Sequence, residues 1–596
     1  MSTHAQRVAD LRSQLGMQKL HGFVIPLTDE HMSEYVGAYA QRLAWLTGFE
    51  GSAGSAVVLA DKAAIFVDGR YTLQVRDQVD GQLFDYQSVP ATPVADWLGV
   101  NARAGDRIGY DPWLHTRVWV SGAVKALAAK DAELVAIHDN PIDAVWSSRP
   151  APSTERLIIH PMEFAGQSSA DKRKAVAGWL TERNADAVVI AALDSVAWLF
   201  NIRGKDVSRT PVALAFAIVR SDGTADLFID LAKIDAATRD HLGASVRLHA
   251  RHGFAETLEA LGGRVAADPA TCVAAIFERL AAGGSEVIEV RDPTVLPRAQ
   301  KNPVEIVGTK AAHVRDGAAL TRFLHWFDAE AATGELDELT AQARLEQFRR
   351  DTNQLQDLSF DSIAGAGPNG AIVHYRASAE TNRRIEPDSI FLIDSGGQYL
   401  DGTTDVTRTL VVGTPTAEMR DRFTRVLQGH IAVATAIFPA GTRGVQLDTL
   451  ARAPLWAVGL DYAHGTGHGV GSYLSVHEGP QRIATPGGGQ SGGDEPLAEG
   501  MILSDEPGYY KAGAYGIRIE NLVLVVKKPV AGAERDMLGF ETLTLAPIDL
   551  RLVDVSMLSA AERDWLNAYH VRVRVEIGPL VGDDMQPWLN EATRQI

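Results

Sequence analysis

Cysteine is almost missing from this chain. Its 596 residues contain one, Cys272, so no disulfide framework can form and a reducing compartment suits the protein. Cys272 sits in an apolar helical run, the setting of a buried, inert thiol rather than a nucleophile. Long apolar runs are missing too. None approaches the ~18 residues of a membrane helix. The opening Met1-Ser2-Thr3-His4-Ala5-Gln6-Arg7 lacks the apolar stretch of a secretion signal, and a cytoplasmic location is the resulting expectation. Positive charge is in deficit. The 57 Lys and Arg residues against 75 Asp and Glu leave a net charge of −18, which argues against nucleic acid or an anionic membrane surface as a partner.

What is present is an ordinary globular composition, with 46% apolar and 22% charged residues, in a length that suggests several domains. Residues 1–150 alternate helical and strand signals. Leu20 to Pro26 reads as a strand, and Ala56–Ala60 with Ala63–Asp68 reads as a hairpin across Asp61-Lys62. A helix is expected to start at Arg70–Val75. Pro-rich breaks at Asn140-Pro141 and Arg149-Pro150-Ala151-Pro152 mark a linker. Residues 151–302 repeat the plan. Ala187–Ile190 matches the first strand, Ala197–Gly204 echoes Ala44–Gly51, and Ala213–Val219 reads as a buried strand. Neither α/β domain carries a catalytic cluster, so scaffold and oligomer surface are their expected roles.

From Asn302-Pro303 the texture changes. Helical spacing runs to about Phe327 and again from Leu336 to about Phe348, followed by strands at Phe391–Ile393 and Thr407–Val412. The order then recurs, with helices near Glu418–Phe438 and Leu447–Val458 and strands near Met501–Leu503 and Ile517–Val526. Two helix-helix-strand halves in residues 303–596 imply a pseudo-two-fold α+β domain with a site between its halves. Arg315, Arg322, Arg349 and Arg350 read as solvated helix faces, and His313, His325, His430 and His570 as core or surface. Ser559-Ala560-Ala561-Glu562 is a capping box opening a helix with Trp565 and Leu566. Trp588 and Leu589 are expected to pack inward.

The chemistry concentrates between His374 and Asn521. Asp394 lies in Phe391-Leu392-Ile393-Asp394-Ser395-Gly396-Gly397, and Asp405 follows Asp401-Gly402-Thr403-Thr404. A hairpin would bring the two carboxylates together beside apolar residues, where unpaired charge is costly. His468 lies in His464-Gly465-Thr466-Gly467-His468-Gly469-Val470-Gly471, whose glycines let the backbone pass close to a ligand. Glu506 precedes Pro507-Gly508-Tyr509-Tyr510. Arg518 and Glu520 are two residues apart, on one face of an expected strand, with Arg518 placed to orient a carboxylate or substrate. One imidazole and four carboxylates form a hard set suited to Mn²⁺, Co²⁺, Zn²⁺ or Fe²⁺. Two ions ~3.5–4 Å apart would share carboxylates and activate a bridging hydroxide against a carbonyl. His374, His464 and His477 remain for oxyanion stabilisation and proton transfer.

These motifs resemble the pita-bread metallopeptidase family that includes methionine aminopeptidase, prolidase and aminopeptidase P. The whole layout is similar to the three-domain, cytosolic-type aminopeptidases P, with two creatinase-like N-terminal α/β domains and a C-terminal extension near 550–596. The family order Asp, Asp, His, Glu, Glu falls on Asp394, Asp405, His468, Glu506 and Glu520. The resemblance implies that Asp394 binds one ion, His468 and Glu506 the other, and that Asp405 and Glu520 bridge. It makes His374, His464 and His477 active-site histidines and Glu506 the general acid/base. It implies two divalent ions, Mn²⁺ first among them, a homodimer, and peptides with proline at position two as substrates, the first residue being released. A prolidase-type dipeptidase and a non-catalytic peptide-binding relative are the alternatives. One departure from the family pattern is the longer glycine-rich stretch Pro486–Gly493, expected near the cleft mouth.

Overall fold

The computed structural model describes residues 3–89, 91–486 and 492–596. The glycine-rich stretch expected near the cleft mouth therefore lies largely outside the described residues. The chain divides into two compact units, Met1–Val295 and Leu296–Ile596.

The first unit holds two six-stranded sheets. Numbered in chain order within each sheet, the strands of both run 4-3-2-1-5-6. The pairing senses also agree: antiparallel for 1 with 2 and 2 with 3, parallel for 3 with 4, 1 with 5 and 5 with 6. The internal repeat is thus a repeat of fold. Its central strands, Ala63–Val67 and Ala187–Ile190 among them, are buried along their whole length, as unbroken apolar runs require. The echoed segments have a common local cause. Helix Arg42–Thr47 ends on Gly48 at φ 85°, and helix Leu193–Phe200 ends on Asn201 at φ 51°. Glycine and asparagine are the residues that accept this left-handed cap.

Asn140-Pro141 proves to be a helix start rather than a linker. The Asn140 side chain accepts from Ile142 N, and Pro141 opens helix Pro141–Val145, using proline where no amide partner is needed. The unstructured connection lies after it, between Trp146 and Leu157. Likewise the helix expected at Arg70–Val75 is a 3-10 turn, Gly69–Tyr71, followed by helix Gln74–Gln78. Cys272 is buried, and burial pushes its thiol well up.

In the second unit, helices Pro303–Ala331 and Glu338–Arg350 accompany a three-stranded sheet of Ile363–Ala366, Ser389–Ser395 and Val406–Val412. Helices Ala417–Ala434 and Gly444–Trp456 accompany a six-stranded sheet that includes Gly467–Gly469, Glu478–Ile483, Ile502–Asp505 and Asn521–Lys527. The long first helix begins on a capping box of Asn302 and Glu305. Three expectations change. The helix expected to reach Phe438 stops at Ala434, and Ile437–Pro439 pairs with Met537–Gly539 as a strand. The strand expected over Ile517–Val526 breaks at Ile519-Glu520 into Tyr515–Arg518 and Asn521–Lys527. Arg349 is no solvated residue. It is fully buried and grips Asp316 through Nε at 2.8 Å and Nη2 at 3.0 Å, while Tyr399 donates to the same carboxylate at 2.7 Å.

The tail packs onto this unit. Helix Ala560–Ile577 starts on the expected Ser559–Glu562 capping box. Leu566 and Leu589 are buried, and Trp588 Nε1 donates to Asp328. Tyr569 donates to the carbonyls of Thr544 and Ala546. It also accepts from Arg408, whose guanidinium further holds Asn521 Oδ1 and the carbonyls of Glu520, Ala546 and Pro547.

Candidate active site

Asp394 sits on strand Ser389–Ser395 and Asp405 immediately precedes strand Val406–Val412. These two strands pair antiparallel, with Asp394 opposite Thr407. Their register brings both carboxylates to one end of the ladder, as the sequence spacing suggests. Glu520 reaches the same place from the break between Tyr515–Arg518 and Asn521–Lys527, where its N–H donates to Thr407 O at 3.2 Å. Its carboxylate accepts from Thr407 Oγ1 at 2.7 Å. The interruption is what aims Glu520. In a continuous strand it would share a face with Arg518; here the two side chains meet instead at Thr407, to which Arg518 Nε donates at 3.1 Å.

His468 comes from short strand Gly467–Gly469, and its glycines answer to neighbouring backbone. A Cβ on Gly467 would stand 1.9 Å from Ser504 O, and one on Gly469 2.2 Å from Glu478 O. The His468 ring is oriented by Nδ1, 2.9 Å from Gly469 O. A carbonyl only accepts, so Nδ1 carries a proton, and Nε2 is left facing Asp405 at 3.5 Å and Glu506 at 3.4 Å. An imidazole nitrogen turned toward two carboxylates is the arrangement of a mixed nitrogen and oxygen ligand set. Ligand atoms of Asp405, His468 and Glu520 all lie within 4.8 Å of one another. Asp394 Oδ1 is buried and has no hydrogen-bond partner among the described residues. These observations fit a bound divalent metal.

Electrostatics agree. Burial pushes the Asp405 carboxyl well above the usual range, with the Asp394 charge adding to it. Burial raises Glu520 likewise, with Asp405 and Asp394 next in weight. Glu506 is pushed up by burial to about 7, against the pull of His468 and Arg518. Metal-free protein should therefore show an inverted pH response. These carboxyls bind protons more readily folded than unfolded, so they favour folding fully below about pH 4.5, and that support is lost as pH rises through about 7. Chelated protein should melt at a lower temperature at pH 8 than at pH 6, and saturating metal should close the gap. A metal-free melting temperature independent of pH across that range would contradict this.

Arg518 is 1% exposed and donates to Asp394 Oδ2 at 2.7 Å, to Tyr510 OH at 2.6 Å and to Val373 O at 3.3 Å. The last bond fixes the segment carrying half-buried His374. His464 places Nδ1 2.7 Å from Gly465 O and Nε2 2.9 Å from Tyr510 OH. The carbonyl again fixes the proton on Nδ1, so Tyr510 donates to Nε2. His477 stands edge-on to His468, ring centres 4.3 Å apart. All eight acidic and imidazole candidates, and Arg518, thus belong to the second unit. Sequence reasoning missed Tyr510 and Thr407. Thr407 was signalled by its place opposite Asp394. Tyr510 was signalled by the hairpin Gly508–Lys511 with Tyr515–Arg518, whose register sets Gly508 against Arg518 and Tyr510 on the same face two residues on. Buried His430 supports the site from behind. It accepts from Asn521 Nδ2 at 3.0 Å, leaving its other nitrogen to donate to Asp505, so the neighbours of Glu520 and Glu506 are tied together.

Comparison with known proteins agrees with this geometry. Residues 308–527 match metallopeptidase family M24, and 536–596 match the C-terminal region of peptidase M24. Residues 7–145 and 148–305 each match the creatinase/prolidase N-terminal domain. A probable Xaa-Pro aminopeptidase P of Coccidioides posadasii is 40% identical over 99% of both chains. Aminopeptidase P2 of Arabidopsis thaliana is 40% identical over 97% of this chain and 86% of its own. The crystal structure of an X-prolyl aminopeptidase from Caenorhabditis elegans, described as a cytosolic enzyme with a di-nuclear active site, superposes with a TM-score of 0.95 over 100% of both chains at 35% identity. With its duplicated N-terminal fold, its carboxylate-imidazole centre and full-length relatives of this kind, the chain belongs to metallopeptidase family M24, among the Xaa-Pro aminopeptidase P proteins.

Proposed function

We infer that this protein is a metalloaminopeptidase that hydrolyses the Xaa-Pro bond at the N-terminus of peptides and releases the first residue. The observation that carries this reading is the buried centre of Asp405, His468 and Glu520 in a chain similar along nearly its whole length to Xaa-Pro aminopeptidases. Asp394, Asp405, His468, Glu506 and Glu520 would hold two divalent ions. When bound, these supply Lewis acidity and a water acidic enough to act as nucleophile. The donor set suits Mn²⁺, Co²⁺, Zn²⁺ or Fe²⁺, and the resemblance to the aminopeptidases P puts Mn²⁺ first.

The remaining steps fall to the protein. Glu506 takes a proton from the attacking water and delivers it to the proline nitrogen as the C–N bond breaks. That nitrogen has no N–H before cleavage, so the leaving side must fit a ring rather than read a donor. His477 and His374 are assigned to the carbonyl oxygen as negative charge develops on it. His464 has both nitrogens engaged. We place it, with Tyr510 and Arg518, in the wall that receives the proline. The reading also takes the protein as a cytoplasmic homodimer, which light scattering checks.

Incubation with Arg-Pro-Pro and Mn²⁺ should release arginine, and a longer Xaa-Pro peptide should be cut as well. Cleavage of Xaa-Pro dipeptides alone would turn the assignment to a dipeptidase. No turnover with any of the four metals, or no stoichiometric divalent metal after reconstitution, would turn it to a non-catalytic peptide-binding protein.

A further inference from the structure

Directly behind His477 lies a buried ionic cluster with no part in the chemistry above. Glu478 is fully buried, and its carboxylate meets two cations. Lys301 Nζ is hydrogen-bonded to it, and Arg298 Nε stands at 3.2 Å. The side chains of Arg298 and Lys301 are 6% and 1% exposed, and Lys301 Nζ also donates to Arg298 O at 2.9 Å. Both cations precede helix Pro303–Ala331, in a segment that is itself held firmly. Lys301 N donates to Gly500 O at 2.9 Å, Gln300 bridges to Met501, and Ala299 is buried with Met501 and Leu503.

Burying such charges is costly, and apolar residues of similar volume often stabilise as well or better. What the cluster adds is a fixed point. Glu478 opens strand Glu478–Ile483, which pairs with the strand carrying His468. That ladder is irregular where it matters. Gly467 faces Ile483 and His468 faces Arg482, yet Gly469 faces Glu478, with a register shift between His468 and Gly469. Ladder bonds alone fix a strand end poorly across such a shift. His477 leaves the strand at this end and lies against the His468 ring.

We propose that Glu478, gripped by Lys301 and Arg298, is a positioning residue that fixes the strand end from which the His477 imidazole reaches the reacting atoms. The proposal rests on the reading of His477 as a group that touches substrate. It makes residues 298–301 part of the apparatus that sets the geometry of the centre, although none of them approaches it.

A double-mutant cycle on the full-length, Mn²⁺-loaded protein tests this, with Arg-Pro-Pro as substrate. Glu478→Gln should lower kcat about 10–100-fold with KM little changed, the scale on which orienting partners act. In a His477→Ala background the same change should cost less than about twofold, because coupled residues do not add. An equal loss in both backgrounds overturns the proposal, as does full kcat in Glu478→Gln. Glutamine leaves two buried cations without a counter-charge, so Glu478→Gln/Lys301→Met and Glu478→Asp are measured in parallel. The double variant should regain melting temperature without regaining kcat, and recovery of both would assign the cluster to stability alone. Absence of Xaa-Pro cleavage by the unaltered protein is a separate outcome, which refutes the reading of the site and the proposal with it.

Discussion

Asp405→Ala should cut kcat on an Xaa-Pro peptide by at least about a thousandfold, the scale of losing a preorganised electrostatic element, while the far-ultraviolet circular dichroism spectrum stays unchanged. Asp405 is 4% exposed and lies within ligand distance of His468 and Glu520. As a carboxylate that would be shared by two ions, Asp405 could not be replaced by a neighbour, because Asp394, Glu506 and Glu520 each approach from a different segment. Stability offers a second, independent reading. In metal-free protein the Asp405 carboxyl is disfavoured as an anion by burial and by Asp394, so its removal should raise the metal-free melting temperature. Ligands that bind only the folded state stabilise it by mass action, so the rise that metal produces in the unaltered protein should largely vanish. Near-full activity, or an unchanged response to metal, would count decisively against Asp405 as a shared ligand.

Arg518→Met should have the next largest effect. Its guanidinium serves four partners: Asp394, Tyr510, Thr407 and the Val373 carbonyl. Removing one member of a buried charge pair leaves the other uncompensated, a loss of about 3–5 kcal/mol. Urea unfolding of the metal-loaded protein measures it. Activity should fall about a hundredfold or more, on the scale of a lost orienting contact, because Asp394 loses its anchor, Tyr510 its partner, and the His374 segment its tether together. Arg518→Lys should rescue little, since an ammonium cannot reproduce the planar fork. A lysine variant with near-native kcat would show that charge alone suffices there.

The site was legible in the sequence where a single residue type is forced by local geometry. His468 announced itself through glycines that adjoining backbone requires, and Asp394 and Asp405 through strands short enough to make one hairpin ladder. The duplicated sheets were legible because unbroken apolar strands and helix ends on Gly48 and Asn201 recur in order. What failed to show depends on partners distant in the chain. Arg349 follows Ala341 and Leu345 at four-residue steps, on the buried face of its helix, yet its charge is paired with Asp316, on another helix. The break at Ile519-Glu520 has no proline or glycine to mark it, and its partner, Thr407, lies more than a hundred residues earlier in the chain. Asn140-Pro141 misled for the opposite reason, since the same dipeptide suits a helix start and a linker.

Arg408 ties Asn521 and the Glu520 carbonyl to Ala546, Pro547 and Tyr569. This has a consequence for the order in which the protein is made. All five acidic and imidazole groups of the centre are synthesised by residue 520, but three of the groups that anchor Arg408, on Ala546, Pro547 and Tyr569, arrive later. A growing chain therefore carries the five candidate ligands before the tail partners of Arg408 exist. A chain truncated after Asn521 would keep all five candidate ligands and lose the Ala546, Pro547 and Tyr569 partners of Arg408.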